Sequence, residues 1–217
     1  MPLARAIRHP LLVMVTLALL TTAGVLADDA TKWRPLWDGK TFDGWHKIGN
    51  GEWKVADGAI VGTNSASEPN YGHLVSDAAY GDFSVRLKFK SIRGNSGLYF
   101  RIEEAGFSGV TGFQAEIDPQ NDVGGLYETN GRAWVVQPTA EEVKQYFKPQ
   151  DWNEMTVTAE GTKIRVEVNG KKSAEIDDPK GRKLGKLALQ VHGGQDVEVM
   201  FKDIEILGDV IAEPQAK

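Results

Sequence analysis

Eleven consecutive residues, 82–92 (DFSVRLKFKSI), alternate without a break. Phe83, Val85, Leu87 and Phe89 point one way; Ser84, Arg86, Lys88 and Lys90 point the other. A period of two belongs to a strand with one buried and one wet face, and a helix cannot bury it. Residues 163–168 repeat the pattern with Ile164, Val166 and Val168, and Asn169-Gly170 follows. Asn-Gly after an alternating run predicts a two-residue hairpin, because both central positions take φ > 0. A second hairpin is expected over 52–61, turning at Asp57-Gly58. Further strands are expected at 97–103, 112–118, 124–128, 153–159, 184–192 and 196–207.

One short helix is expected over 139–147. Thr139 with Glu142 three residues on makes a capping box, Val143, Tyr146 and Phe147 share a face, and Pro149 ends the segment. Many short strands with glycine-rich turns point to an all-β chain of two packed antiparallel sheets. The expected fold is a jelly-roll β-sandwich of the lectin and glucanase kind, with a lipocalin-type barrel as the alternative. The 217-residue chain has no cysteine, which removes disulfides, thiol catalysis and thiolate metal sites.

The first residues read as an export signal. Arg5 and Arg8 precede an apolar run over 11–20, and small residues lead to Ala27 before Asp28-Asp29. Cleavage is expected after Ala27, leaving a sandwich domain over 28–212 and a frayed tail over 213–217. The run is too short to span a bilayer comfortably, so no membrane association is expected after cleavage, and the location is periplasmic or secreted. A net charge of −5 argues against a nucleic-acid binder.

The chemistry is expected on the polar face of the strands. In 112–118, Phe113, Ala115 and Ile117 enter the core, so Gln114, Glu116 and Asp118 form a row opposite. In 187–192, Gln190 and His192 oppose Leu187, Leu189 and Val191. In 95–101, Tyr99 and Arg101 oppose Leu98 and Phe100. Tyr127 and Trp134 join the same scheme. Singly, each has an ordinary structural explanation. Arg101 would pair with Glu116 or Asp118, Glu128 with Arg132, and His46 and His73 sit in turn-like sequence with no role. Together, amides, carboxylates, an imidazole, a guanidinium and aromatic rings suit a sugar, whose C–H face stacks on rings while its hydroxyls need planar polar partners. No Walker loop, dinucleotide fingerprint, nucleophile elbow or zinc-protease helix is present. No motif names a particular cofactor; Ca²⁺ or another divalent cation on Glu116, Asp118 and carbonyls is compatible with the residue types.

The order of motifs resembles the 3-keto-disaccharide hydrolase domain family. The matching segments are 36–45 (LWDGKTFDGW), 80–89 (YGDFSVRLKF), 94–101 (GNSGLYFR), 112–118 (GFQAEID), 185–192 (GKLALQVH) and 199–204 (VMFKDI). The resemblance implies an exported concanavalin-like sandwich acting on oxidised glycosides. Family members commonly carry Glu-x-Gln where this chain has Gln114-Ala-Glu116. The 116–121 segment is also similar to the Glu-x-Asp-x-x-Glu strand of laminarinase-like glucanases, but Asn121 replaces the second glutamate. Ordinary two-carboxylate hydrolysis therefore lacks its acid. A 3-keto sugar needs instead a base at C2, an electrophile at the carbonyl oxygen and a donor for the leaving oxygen. His192 or Glu116 is the expected base, Arg101 or a cation the enolate stabiliser, and Asp118 the group that orients His192 or holds the cation. Gln114, Gln190 and Tyr127 are expected to bind hydroxyls, and Trp134 or Tyr99 to stack. The alternative is a non-catalytic lectin-like binding module.

Overall fold

The computed structural model describes residues 32–211. The expected signal segment and the 213–217 tail lie outside them. Fourteen strands and one helical turn follow in order: β1 (Arg34–Pro35), β2 (Trp45–Gly49), β3 (Glu52–Ala56), β4 (Ala59–Asn64), β5 (Gly72–Arg93), β6 (Ser96–Ala105), β7 (Gly109–Ile117), β8 (Leu126–Thr129), β9 (Ala133–Val136), α1 (Ala140–Val143), β10 (Asn153–Glu160), β11 (Lys163–Val168), β12 (Lys171–Asp177), β13 (Gly185–Val191) and β14 (Val197–Ile211).

All the pairings are antiparallel, and β5 is the hinge between two layers. Its first part, around Gly72–Tyr80, pairs with β2 and β13, and the layer continues through β6, β7, β8 and β9. Its second part pairs with β10 and β14, and that layer carries β11, β12, β3 and β4. The structure is therefore the expected jelly-roll-like sandwich rather than a lipocalin-type barrel.

The alternation read from the sequence builds the core between the layers. Phe83, Val85, Leu87 and Phe89 meet Leu98, Phe100, Phe113, Ile117, Leu187 and Leu189, all buried in one cluster. Burying each such side chain stabilises the fold by about 1.5–3 kcal/mol. Both predicted hairpin turns form: Asp57 and Gly58 have φ of 52° and 68°, Asn169 and Gly170 φ of 50° and 74°. The capping box at Thr139 is present, but the α-helix is only the turn Ala140–Val143, shorter than expected. Val143, Tyr146 and Phe147 still join the core. Glu128 and Arg132 pair as expected, and Arg132 also reaches Asp178.

The sequence places three residues differently from the structure. Arg101 was expected on the wet face beside Tyr99. Between Phe100 and Glu103 the β6–β7 register slips by one residue, and Arg101 takes φ 50°. This bulge breaks the alternation: Tyr99 and Ile102 share the outer face, while Arg101 is fully buried away from it. Its guanidinium donates to the carbonyls of Gly81, Ala159, Gly161 and Arg182 and pairs with Asp82 at 3.1 Å. It fastens the β5 crossover to the β10–β11 turn and approaches neither Glu116 nor Asp118. His46 and His73 are strand residues, in β2 and β5, not turn residues.

The same bulge bends the β6–β7 hairpin. Its tip residue Ser108 lies against Gly49 of β2, three strands away in the layer, so the hairpin folds back across the outer face. Gly112, opposite the bulge at φ 132°, permits this: a Cβ there would lie 2.9 Å from the Arg101 carbonyl oxygen.

Candidate active site

Beneath the folded-back hairpin, the outer face of the first layer carries a cleft of about 550 Å³. Strand register explains its composition. One cross-strand row runs His73, Gln190, Gly97, Glu116 over β5, β13, β6 and β7. The next runs Tyr99, Gln114, Tyr127, Trp134 over β6 to β9. Both rows point away from the core because their strand neighbours, such as Leu98, Ala115 and Leu189, point into it.

Seven of the nine residues expected from the sequence line this cleft: Tyr99, Gln114, Glu116, Tyr127, Trp134, Gln190 and His192. Two do not. Arg101 is buried on the other side of the layer. Asp118 lies past the end of β7, where its carboxylate accepts from the Gln120 N–H at 2.9 Å. The strand stops before the third member of the expected row. Residues given no role in the sequence complete the wall: Tyr71, His73, Asn95, Ser108, Thr129 and Asn130. For Tyr71 and His73 a signal existed, since 72–75 (GHLV) leads straight into the long β5, but the start of the strand lacks regular alternation.

The floor is a chain of amides. Gln114 Nε2 donates to the Ser96 carbonyl at 3.3 Å and to Gln190 Oε1 at 3.2 Å. Gln190 Nε2 donates to the Tyr99 hydroxyl at 3.1 Å, which lies 2.9 Å from Thr129 Oγ1. Gly97 makes room for this chain: a Cβ there would meet Gln114 Nε2 at 2.4 Å. Gln114 and Gln190 are buried, so they hold the floor rigid. Tyr127 and Trp134 meet edge to face, 5.3 Å apart, and form an aromatic wall.

His192 has its tautomer fixed. Nδ1 faces the Gly193 carbonyl at 2.6 Å and must carry the proton to bond there. Nε2, 3.0 Å from the Tyr71 hydroxyl, is then an acceptor. The imidazole presents a lone pair at the cleft with Tyr71 as its partner.

Glu116 is only 5% exposed. Burial pushes its carboxyl from 4.5 up to about 8; the Asn95 side chain opposes the rise, and Asp118 and Asp122 add to it. Near neutral pH it is a protonated acid. Among the described residues, no lysine, arginine or aspartate lines the cleft. Of the pair considered for a hard cation, Asp118 is engaged in its turn, and no cluster of three or more His, Asp or Glu side chains that could hold a metal occurs among the described residues.

Amides, hydroxyls and aromatic rings on one face of a β-sandwich, without a charged clamp, define a glycoside hydrolase-like or carbohydrate-binding domain. The chain belongs to the family of 3-keto-alpha-glucoside-1,2-lyase-like domains, whose model matches residues 32–207. A 3-keto-disaccharide hydrolase from Bacteroides thetaiotaomicron is 31% identical over 85 residues, 35% of this chain and 29% of that protein's length. The matched stretch thus spans less than a third of that relative. A candidate glycosyl hydrolase from Parabacteroides distasonis superposes with a TM-score of 0.60 at 22% identity, over 80% of this chain and 92% of the other. The carbohydrate-binding module CBM66 from Bacillus subtilis superposes with a TM-score of 0.58 at 18% identity, over 74% and 93%. At these identities the two structures speak for the fold alone.

Proposed function

We propose that this domain cleaves 3-keto-glycosides by proton abstraction at C2, elimination at C1 and addition of water, and that it does so after export to the periplasm or medium. The observation that carries the reading is the pairing, in one cleft, of a tautomer-locked imidazole with a buried protonated carboxyl. A carbonyl at C3 acidifies the C2 hydrogen. His192 Nε2 takes that proton, and the electron pair moves onto the C3 oxygen as an enediolate. When the carbonyl re-forms, the pair makes a C1–C2 double bond and the C1–O bond breaks. Glu116 protonates the departing oxygen. The ionised Glu116 then takes a proton from water as its oxygen adds to C1, and His192 returns its proton to C2. The sum is hydrolysis.

Arg101 has no part in this scheme. The enediolate oxygen falls to neutral donors of the cleft, the Asn95 amide and the Tyr71 hydroxyl, which turns its proton from His192 Nε2 to that oxygen and so frees the lone pair that takes the C2 proton. The Tyr127–Trp134 wall supplies stacking for the ring. Purified protein incubated with a 3-keto disaccharide should release monosaccharide, and His192→Ala and Glu116→Gln should each lower the rate by about 10²–10⁴. Unchanged turnover in both variants would refute the assignments. The fold shared with CBM66 favours one second reading, a binding module, which predicts sugar binding with no product from any 3-keto substrate.

A further inference from the structure

Five described residues hold a buried side-chain nitrogen or oxygen with no hydrogen-bond partner: Trp53, His73, Ser91, Asn95 and Glu116. Three of these, His73, Asn95 and Glu116, line the one cleft. Glu116 and Asn95 already have parts in the proposed reaction; His73 has none, and both its ring nitrogens are bare. Buried polar groups in a native fold are nearly always paired, so unmade bonds concentrated at one cavity indicate an absent partner.

The geometry points to His73 as a further substrate-contacting residue: its imidazole forms a hydrogen bond with a hydroxyl of the sugar bound in this cleft. This rests on the cleft being the sugar site. His73 and Glu116 stand in the same cross-strand row, three strand steps apart, or about 14 Å between backbones. Gly97, between them and Glu116's direct neighbour, carries no side chain. The row therefore has titratable groups at its two ends, and Gln190 together with the Gln114 amide lying over Gly97 forms the floor between them. The His73 ring cannot swing out to water. It lies parallel to Tyr71 at 6.2 Å and edge-on to Tyr99 at 5.4 Å, and is 2% exposed.

Its protonation state suits a hydroxyl. Burial lowers its pKa to about 4, opposed by the Ser108 backbone, which lies near the ring but outside hydrogen-bond geometry. At neutral pH it therefore offers one N–H and one lone pair, the same pair of functions a sugar hydroxyl carries. It is too weak a base to abstract the C2 proton, so the proton-transfer role stays with His192.

His73→Phe keeps the ring and its contacts and removes both nitrogens. The variant should fold and lose about tenfold in affinity for a neutral glucoside by calorimetry, equivalent to ~1.4 kcal/mol. On a 3-keto glucoside the loss should fall on KM rather than kcat, with the pH profile keeping its shape. His73→Gln, which restores a donor and an acceptor, should recover part of the affinity, and it decides the question if the Phe variant does not fold. Unaltered glucoside affinity in the folded variant, or wild-type protein that binds no glucoside, overturns the inference. A kcat loss with a displaced pH profile also overturns it, by making His73 a proton-transfer group. Wild-type protein that binds glucoside but turns over no 3-keto substrate refutes the catalytic reading alone, and the affinity arm still judges His73.

Discussion

Replacing Glu116 by glutamine should make the protein more stable and inactive at once. The native carboxyl titrates near 8, against 4.5 for an ordinary glutamate, chiefly because it is buried. A folded-state pKa raised above the unfolded value contributes full stability below 4.5, and the contribution is lost as pH rises toward 8. In neutral solution the unfolded chain ionises this group while the native cleft keeps it protonated. The difference costs the native state about 1 kcal/mol at pH 5, about 3 kcal/mol at pH 7 and about 5 kcal/mol at pH 9. Glutamine is nearly isosteric, uncharged throughout, and brings an N–H donor toward the Asn95 side chain that already neighbours the carboxyl. Glu116→Gln should recover much of that cost: at pH 7, about 6–12 °C in Tm for a domain of this size. Urea titrations of both proteins at the three pH values would read the gap directly. A gap that stays constant with pH would show that Glu116 ionises freely in the native state. Its assignment as the acid would then fail with the stability argument.

Arg101→Met should cost about 3 kcal/mol or more in chemical denaturation, because it leaves buried carbonyls of Gly81, Ala159, Gly161 and Arg182 without their donor. Full stability with lost turnover would return the guanidinium to the chemistry. Gly97→Ala drives a Cβ into the Gln114 amide at 2.4 Å and should break the chain from Ser96 to Thr129. Sugar affinity should drop about tenfold or more while the core-dependent melting cooperativity persists; unchanged affinity would show that the amide floor does not position the ligand.

Much of the sandwich was legible because alternation is a local property. Phe83 to Phe89, Phe113 to Ile117 and Leu187 to Val191 each declare which side faces the core, and the structure buries them as declared. By the same parity Gln114, Glu116, Gln190 and His192 had to face outward together. Three things are not local. Nothing in 95–101 announces that Arg101 adopts a left-handed conformation, since the bulge is compelled by partners as distant as Gly161 and Arg182. Asp118 continues the period of its strand on paper, but β7 ends at Ile117. His73 precedes the regular alternation of β5, and its value appears only when Gln190 and Glu116 arrive in its row from β13 and β7.

The exceptions to ordinary folding rules gather in one region, and they depend on one another. A left-handed arginine at the bulge turns the β6–β7 hairpin back over the layer; the hairpin brings Ser108 to Gly49 and roofs the outer face. Under that roof His73 is desolvated enough to lose its proton; at the other end of its row Glu116 is buried enough to hold its own, and both keep polar atoms unpaired. Local rules are broken in folded proteins mainly where function supplies the compensation. Here the covering hairpin accounts for the neutral imidazole beside the buried amide floor. Loosening the bulge should therefore move the His73 titration back toward its ordinary value, and a His73 titration that stays put would show that the hairpin does not bury it.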